Sequence, residues 1–237
     1  SRGLGDVYKR QFYTNADGYL VTPEKLPYGK GYSLVEVSAP YGYVLNDEPV
    51  YFDVTEDNSS EESAVTVVVV ERPNMAQKGV INITKTGEVF STVTESSGVY
   101  QPVYEVKGIA GAVYEITAAE DIITPDGTLR YAKGEVVDTV TTGADGIAAT
   151  KELYLGKYEI REITAPYGMV VNGEVHTAEL TYAGQEVSIT ETAASFYNER
   201  QKVKVELSKT LETDELFGIG ANGEITAVSF GLYAAED

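Results

Sequence analysis

The chain has 237 residues, no cysteine and a formal net charge of −19 at pH 7. This length suits roughly two domains, and an apolar fraction of 43% is that of a globular protein. The charge argues against nucleic-acid binding, which requires clustered lysine and arginine side chains. Without cysteine, any covalent reinforcement must come from a bond other than a disulfide.

Valine, isoleucine, threonine and tyrosine dominate the strand-like segments, and glycine turns are frequent, so the sequence predicts an all-β fold. Residues 1–11 have no apolar periodicity and resemble translated sequencing-adapter read-through, so we set them apart as a non-native or disordered leader. The apolar run Val65–Val70 has the length of a buried strand and is far too short to span a bilayer. We therefore expect no membrane insertion.

The central part of the chain predicts six strands in order. They are Val80–Lys85, Ala112–Ala118, Glu135–Thr141, Lys157–Thr164, Val175–Thr181 and Val187–Asn198. Turn residues such as Asp145-Gly146 separate them, and many short strands with frequent turns are typical of a β-sandwich. The segment Gly87–Gly111 exceeds a normal hairpin connection and is predicted to be a long loop.

One segment of the sequence occurs twice. YSLVEVSAPYGYVLN at Tyr32–Asn46 returns as YEIREITAPYGMVVN at Tyr158–Asn172, 126 residues later. Similar spacing relates Asp17-Gly18 to Asp145-Gly146, Asn74 to Asn198, and Lys85 to Lys209. The repeat predicts residues 12–76 as the later part of one module, 77–200 as a complete module and 201–237 as the opening part of a third. Short linkers indicate modules stacked end to end as a stiff rod.

Three polar residues of the central module occupy positions that alternation directs inward. Lys85 ends the apolar stripe of the first strand, and Asn198 ends the last strand. Glu162 shares a strand face with Tyr158 and Ile160. Because a charged group directed at a core is costly unless something there uses it, we expect the three side chains to converge.

The repeated segment, GAVYEI at Gly111–Ile116 and FYNER at Phe196–Arg200 together resemble the Cna B-type, or prealbumin-like, domains of Gram-positive surface adhesins and pilins. The resemblance covers essentially all of the chain after the first dozen residues. It implies tandem Ig-like β-sandwich modules, one complete and two truncated, in an extracellular, cell-wall-anchored stalk. The partners it implies are neighbouring modules of the same chain.

The resemblance also implies a crosslink. In that family a lysine amine and an asparagine amide fuse into an intramolecular isopeptide bond, aided by an acidic residue. By position, Lys85 would join Asn198 with Glu162 as the helper, without metal, cofactor or turnover, so we do not expect an enzyme. Burial lowers a lysine pKa and raises a carboxyl pKa, so neutral Lys85 can attack while protonated Glu162 polarises the Asn198 carbonyl.

The other two modules carry incomplete counterparts of this set. The first has Glu36 and Asn74, and its donor lysine is expected upstream of Ser1. The third has Lys209 alone. We therefore predict one isopeptide bond in this chain.

Blander interpretations of the site residues stay open at this stage. Lys85 can be a strand-end lysine that extends to solvent, or the three residues can form an unreacted hydrogen-bonded cluster. The acidic stretch Asp53–Glu62 offers oxygens to Ca²⁺ but lacks the ligand order of a calcium loop. His176, the only histidine, is more typical of a surface residue than of a general base.

A second functional hypothesis is an adhesive module. Its loops, such as 87–111, would then contact a host-surface, extracellular-matrix or polysaccharide ligand, since long loops often carry function.

Overall fold

The computed structural model describes residues 11–55, 69–220 and 222–232. The chain divides into two compact units, Ser1–Glu199 and Arg200–Asp237, which are treated separately below. Within the described ranges there is no α-helix, and no helix there is long and apolar enough to cross a membrane. The predicted all-β fold is confirmed. Most of the predicted leader and of the Val65–Val70 run lies outside the described residues.

The described ranges contain fifteen strands. In chain order they are β1 (Gly29–Leu34), β2 (Tyr43–Val44), β3 (Val50–Val54), β4 (Met75–Ala76), β5 (Lys78–Ser96), β6 (Val99–Gly108), β7 (Val113–Ala118), β8 (Ile122–Ile123), β9 (Leu129–Tyr131), β10 (Val136–Thr141), β11 (Ile147–Ala149), β12 (Leu153–Tyr154), β13 (Gly156–Thr164), β14 (Val175–Leu180) and β15 (Ile189–Asn198).

All six strands predicted for the central module are present, as β5, β7, β10, β13, β14 and β15. Their bounds agree with the prediction to within two residues, with one exception. β5 is predicted to end at Lys85 and instead runs to Ser96. The predicted alternation of apolar and polar residues therefore located the strands well, because period-2 patterning follows directly from the pleat.

Two sheets form the body of the unit Ser1–Glu199. One is antiparallel with strand order β10-β7-β13-β14. The other is built around β5, which pairs in parallel with β15 and antiparallel with β6, β11 and β12. The first and last long strands of the central module are thus direct neighbours, with Ile189 beside Lys78 and Asn198 beside Gly87.

The core lies between these two sheets. It comprises Ile81, Ile83, Ala112, Tyr114, Ile116, Ala118, Ile122, Val137, Ala148, Leu153, Tyr158, Ile160, Ala178, Leu180 and Phe196. Alternate positions of β5, β7 and β13 supply about half of these residues, as the pleat requires. Burial of each large aliphatic side chain contributes about 1.5–3 kcal/mol, so this shared core holds the sheets face to face.

The segment predicted as a long loop is a β-hairpin. β5 continues past the core to Ser96, Ser97-Gly98 turns with φ 54° and 77°, and β6 returns antiparallel to Gly108. Positive φ at both turn residues is typical of a two-residue hairpin. We call residues 88–108 the hairpin arm. The loop prediction was wrong. It rested on the length of the segment, whereas the alternating β-branched and aromatic residues favour strands.

The hairpin arm leaves the core at a close backbone crossing. Gly146 has φ 77°, and a Cβ there would lie 2.2 Å from the Lys85 carbonyl oxygen and 2.6 Å from the Gly108 Cα. The Lys85 N–H donates to the Gly146 carbonyl at 2.7 Å. Because only glycine fits this approach, the Asp145-Gly146 turn fixes the backbone of Lys85.

The repeated segment differs in structure between its two copies. Among the described residues, β1 pairs only with β3; it ends at Leu34, so Glu36 follows the strand. β13 lies between β7 and β14 and continues through Glu162 to Thr164. A strand flanked on both edges gains more ladder hydrogen bonds, which accounts for its greater length.

The unit Arg200–Asp237 contains little regular structure in its described part, chiefly a 3-10 helix at Glu224–Ala227. The predicted apolar stripe of a third-module strand is exposed, with Val203, Val205 and Leu207 at 82%, 77% and 61%. Lys209 is also exposed. The inward-facing prediction for this stripe was wrong here, since a strand needs hydrogen-bonding partners and no described residue of this unit pairs with it.

Candidate functional site

Lys85 is carried into the core by β5. Its neighbours of the same phase, Ile81 and Ile83, are fully buried, and Lys85 itself is 0% exposed. The inward-facing prediction is confirmed. The interpretation of a lysine that extends to solvent was wrong, because the Gly146 crossing and the parallel β15 enclose this position.

Glu162 enters from the opposite sheet on β13. Tyr158, Ile160 and Glu162 alternate as predicted and are all buried, with Glu162 only 3% exposed. In register, Glu162 stands beside Tyr114 of β7. The carboxyl group therefore projects from one sheet towards the lysine of the other.

Asn198 ends β15 and is 1% exposed. The parallel register places Phe196 beside Lys85 and Asn198 beside Gly87. The Phe196 ring packs on Tyr114 with 4.6 Å between centroids. Aromatic rings thus line the core beside the amide, and they exclude water from it.

The three predicted side chains meet in one buried cluster. Lys85 Nζ lies 3.2 Å from Glu162 Oε1 and donates in a short contact to Asn198 Oδ1. Asn198 Nδ2 donates to both carboxyl oxygens of Glu162 at 2.9 Å. Nucleophile, amide and carboxyl group are therefore within direct reach of one another.

The Lys85 amine experiences two opposing influences. Burial lowers its pKa from the ordinary value of 10.5, and this effect is larger than the raising effect of the nearby Glu162 charge and hydrogen bond. A lysine with a lowered pKa releases its proton more readily. The neutral amine, which is the nucleophilic form, is therefore easier to reach at Lys85 than for a lysine in water.

Glu162 faces the amide nitrogen of Asn198, which differs from the expected contact with the amide carbonyl. The same carboxyl group also accepts a 2.6 Å hydrogen bond from the Asn172 backbone N–H. This second contact fixes its orientation. Glu162 is therefore placed between the lysine amine and the amide nitrogen, where it can pass a proton from one to the other.

The sequence analysis did not assign Asn172 to the site, although the repeated segment ends in an asparagine in both copies. Asn46 ends the first copy of the repeated segment, and its backbone N–H donates to Glu36 Oε2 at 2.9 Å. Asn74 Nδ2 donates to the same oxygen at 2.8 Å. The first module thus reproduces the glutamate and asparagine half of the site, and both residues are partly buried.

Tyr114 is a further residue that the sequence did not assign to the site. Its hydroxyl is buried, and no described residue lies in a position to form a hydrogen bond with it. Burial first, and the adjacent Glu162 second, raise the pKa of Tyr114. Tyr114 therefore stays neutral beside the cluster and adds no competing charge.

The weaker candidates lie apart from this cluster. The His176 ring packs on Phe196 with 4.3 Å between centroids, and its Nε2 lies 3.4 Å from Glu174 Oε2. In the described ranges no group of three or more His, Cys, Asp or Glu side chains could hold a metal ion. Most of the acidic stretch Asp53–Glu62 falls outside those ranges, so its calcium interpretation stays untested.

The family model of the SpaA prealbumin-like fold domain matches residues 3–67 and 103–194. The chain belongs to this family. The predicted resemblance and the prealbumin-like fold are confirmed. The SpaA-type match includes Glu36 and Glu162 but stops short of Asn198 and omits Lys85, so the cluster rests on the geometry above. It also begins within residues 1–11, whose separation as a leader stays a prediction.

Several solved structures are similar to this SpaA-type chain. They include the Bacillus anthracis TIE protein, with 24% identity over 74% of this chain and 26% of that one and a TM-score of 0.43. GBS52, the minor pilin of Streptococcus agalactiae, shows 13% identity over 56% and 49%, with a TM-score of 0.36. The major pilin SpaD of Corynebacterium diphtheriae shows 18% identity over 52% and 30%, with a TM-score of 0.35.

The chain spans at most about half the length of these three solved proteins. No curated protein sequence matches it.

Proposed function

We propose that this chain is a structural stalk segment of an extracellular, cell-wall-anchored adhesin or pilin, stiffened by a self-formed isopeptide bond between Lys85 and Asn198. The observation that carries the proposal is the buried contact of Lys85, Glu162 and Asn198. Membership of the SpaA prealbumin-like family supports the surface role. The bond forms once per molecule, so the protein acts as its own substrate and not as an enzyme.

The bond-forming step balances within the cluster. Glu162 takes a proton from the Lys85 ammonium, and the neutral Nζ attacks Cγ of the Asn198 amide. Glu162 then delivers the proton to Nδ2, the Cγ–Nδ2 bond breaks, and ammonia leaves. The attacking Nζ gives its remaining extra proton to Glu162, which passes it to the departing ammonia. The products are one secondary amide and one ammonium ion, with the carboxylate regenerated.

Folding supplies most of the driving geometry. Holding an amine and an amide in contact can remove about 7–11 kcal/mol of barrier in a well-oriented intramolecular reaction. The site also excludes water, since Lys85, Glu162 and Asn198 are each no more than 3% exposed. No metal or cofactor is needed for this step.

The location of the bond suits a load-bearing role. β5 and β15 are the first and last long strands of the central module and lie side by side in parallel. A covalent link between them carries tension from one strand directly to the other. The intervening strands are then bypassed, so they are not pulled apart when the chain is stretched.

Single-molecule stretching tests the stalk proposal. The bond closes a loop of 113 residues, and an extended chain spans about 3.5 Å per residue, so about 400 Å of extension should be missing on forced unfolding. Asn198→Ala removes the amide and should restore this length. If the chain without the substitution also releases this additional 400 Å or so on unfolding, the proposal is contradicted.

The hairpin arm supports a second candidate, an adhesive module. Phe90, Tyr100 and Tyr104 are 50%, 70% and 40% exposed on it, and exposed aromatic residues are common in binding surfaces. Replacing residues 89–106 by a short turn should abolish binding to host-surface, matrix or polysaccharide ligands if the arm is adhesive. Unchanged binding, with the core intact by circular dichroism, would contradict adhesion through the arm.

A further inference from the structure

The sequence Ala-Pro-Tyr-Gly occurs in both copies of the repeated segment and forms a turn each time. We call Ala39–Gly42 the proximal loop and Ala165–Gly168 the distal loop. The turns have the same geometry: the residue after the glycine donates to the proline carbonyl at 3.1 Å in the first and 3.0 Å in the second. The glycine φ values are 85° and 74°. The loops are therefore equivalent in shape, and their surroundings can be compared directly.

The proximal loop is seated on the central module. The Ala39 N–H donates to Gln185 Oε1 at 2.9 Å, and the Tyr41 ring lies 4.6 Å from that of Tyr182. Gly42 is buried, and a Cβ there would lie 2.6 Å from Pro125 Cγ. We call the surface formed by Pro125, Tyr182 and Gln185 the seat.

Gln77, in the linker before the central module, also holds the proximal loop. Its N–H donates to the Gly42 carbonyl at 2.8 Å. Its side chain, in a residue only 1% exposed, donates to the carbonyls of Gly184 and Val187 and accepts from the Ala183 N–H at 2.9 Å. Every polar atom of the amide is satisfied within the central module, so the residue whose N–H holds the Gly42 carbonyl is itself firmly fixed.

The distal loop has the same shape, but among the described residues it has no such seat. Tyr167 is fully exposed, and Gly168 is exposed with no heavy atom within 4 Å of the position a Cβ would take. Val170 and Val171, just after it, are 51% and 50% exposed. Three exposed apolar side chains thus lie on or just after a loop that has the same turn geometry as the seated proximal loop.

We propose that the distal loop is the docking surface for a second module of this kind, whose own seat receives Tyr167 and Gly168 as the central seat receives Tyr41 and Gly42. Loop and seat lie on different parts of one module, so the contact is head-to-tail and extends as an open chain. The proposal rests on the stalk part of the proposed function and is independent of the isopeptide bond.

A tandem protein tests this proposal. The dipeptide Gln77-Lys78 recurs as Gln201-Lys202, so residues 1–201 can be joined directly to a second copy of residues 78–200 with a native linker. The chain has no cysteine, so Glu159→Cys in each module copy provides two spin-label sites on an exposed, mid-strand position. Distances between the labels are then measured by electron spin resonance.

The expected result is one narrow distance distribution. Tyr167→Ala or Gly168→Asn in the first module copy should broaden it by about twofold or more, because an unlocked junction samples many orientations. Both positions are exposed, so neither variant should disturb the fold, and asparagine tolerates positive φ. Tyr100→Ala on the hairpin arm is the matched control and should leave the distribution unchanged.

A broad distribution in the unmodified tandem, or a narrow one that persists in both distal-loop variants, would overturn the docking proposal. The crosslink is read separately from the mass of the same samples. Docking with no ammonia loss would refute the crosslink alone, and ammonia loss with a broad distribution would refute docking alone.

Discussion

An unreacted Lys85 in this core would make stability depend on pH, and Glu162 sets how strongly. Burial lowers the Lys85 pKa and Glu162 raises it. Glu162→Gln removes the raising effect and the proton carrier, so we expect an uncrosslinked chain with a still lower Lys85 pKa. Between the lowered pKa of the folded lysine and 10.5, the unfolded lysine holds a proton that the folded lysine has released, so the free energy of unfolding should increase as pH rises through this window.

Urea unfolding of the Glu162→Gln chain between neutral and alkaline pH measures this dependence. The matched control is Glu162→Gln with Lys85→Met, which keeps a side chain of similar length without the amine. The control should lack the increase. Equal pH slopes in the two proteins would show that Lys85 is not the titrating group.

Single residues also show what sequence could and could not predict about the site. Alternation and the repeat predicted the convergence of Lys85, Glu162 and Asn198, because period-2 patterning decides which side chains face inward. The Asn172 contact with Glu162 uses a backbone N–H, which carries no side-chain pattern. The neighbour Tyr114 depends on strand register between β7 and β13, which a single sequence does not reveal.

At the scale of elements, the crossing of β5, the hairpin arm and the Asp145-Gly146 turn should be intolerant of a side chain. Gly146→Ala adds a Cβ 2.2 Å from the Lys85 carbonyl oxygen at a φ of 77°. We expect a loss of about 3 kcal/mol or more in the free energy of unfolding, from steric overlap and backbone strain together. Denaturant unfolding in an Asn198→Ala background, where no crosslink forms, measures it.

Gly127→Ala is the control for backbone strain alone. Gly127 has a similar φ of 82°, but no heavy atom lies within 4 Å of the added Cβ. The expected loss is about 1–2 kcal/mol, the cost of left-handed backbone for a residue other than glycine. Equal losses at the two positions would mean that close packing at Gly146 does not matter.

The elements themselves were predictable to different degrees. Alternation of apolar and polar residues predicted the six strands of the core, and all six are present. The hairpin arm was misread as a loop, although its Ser97-Gly98 turn and β-branched residues favour a hairpin. The strand predicted near Val203–Lys209 did not form, because alternation predicts a strand only where a partner edge exists.

At the scale of the whole molecule, Gln77 should control how firmly the proximal loop is held on the central module. Gln77→Leu leaves the Ala183 N–H and the carbonyls of Gly184 and Val187 without their partner, at about 1–3 kcal/mol for each unsatisfied group. We expect faster amide hydrogen exchange in residues 182–187. Mass spectrometry of exchanged peptides measures this directly.

Gln101→Leu is the matched control, since Gln101 is exposed on the hairpin arm. It should leave exchange in residues 182–187 unchanged. Exchange that is equally slow in the Gln77→Leu protein would show that the junction is held by other contacts.

The sequence carries a signal for repeated modules, whereas it carries none for the contact between the proximal loop and the seat. Repeat spacing predicts the modules because matching residues recur at nearly constant intervals, and their bounds stay a prediction. The seat is formed by Pro125, Tyr182 and Gln185, which lie in loops, and loop contacts follow no periodic pattern. Only the structure could show which face of the molecule receives the proximal loop.

The mass of the intact, denatured chain tests the crosslink most directly. The account predicts a chain that is lighter than its sequence by one ammonia, with the full sequence mass restored in Lys85→Ala and in Asn198→Ala. An unmodified mass for the parent chain under denaturing conditions would contradict the isopeptide bond.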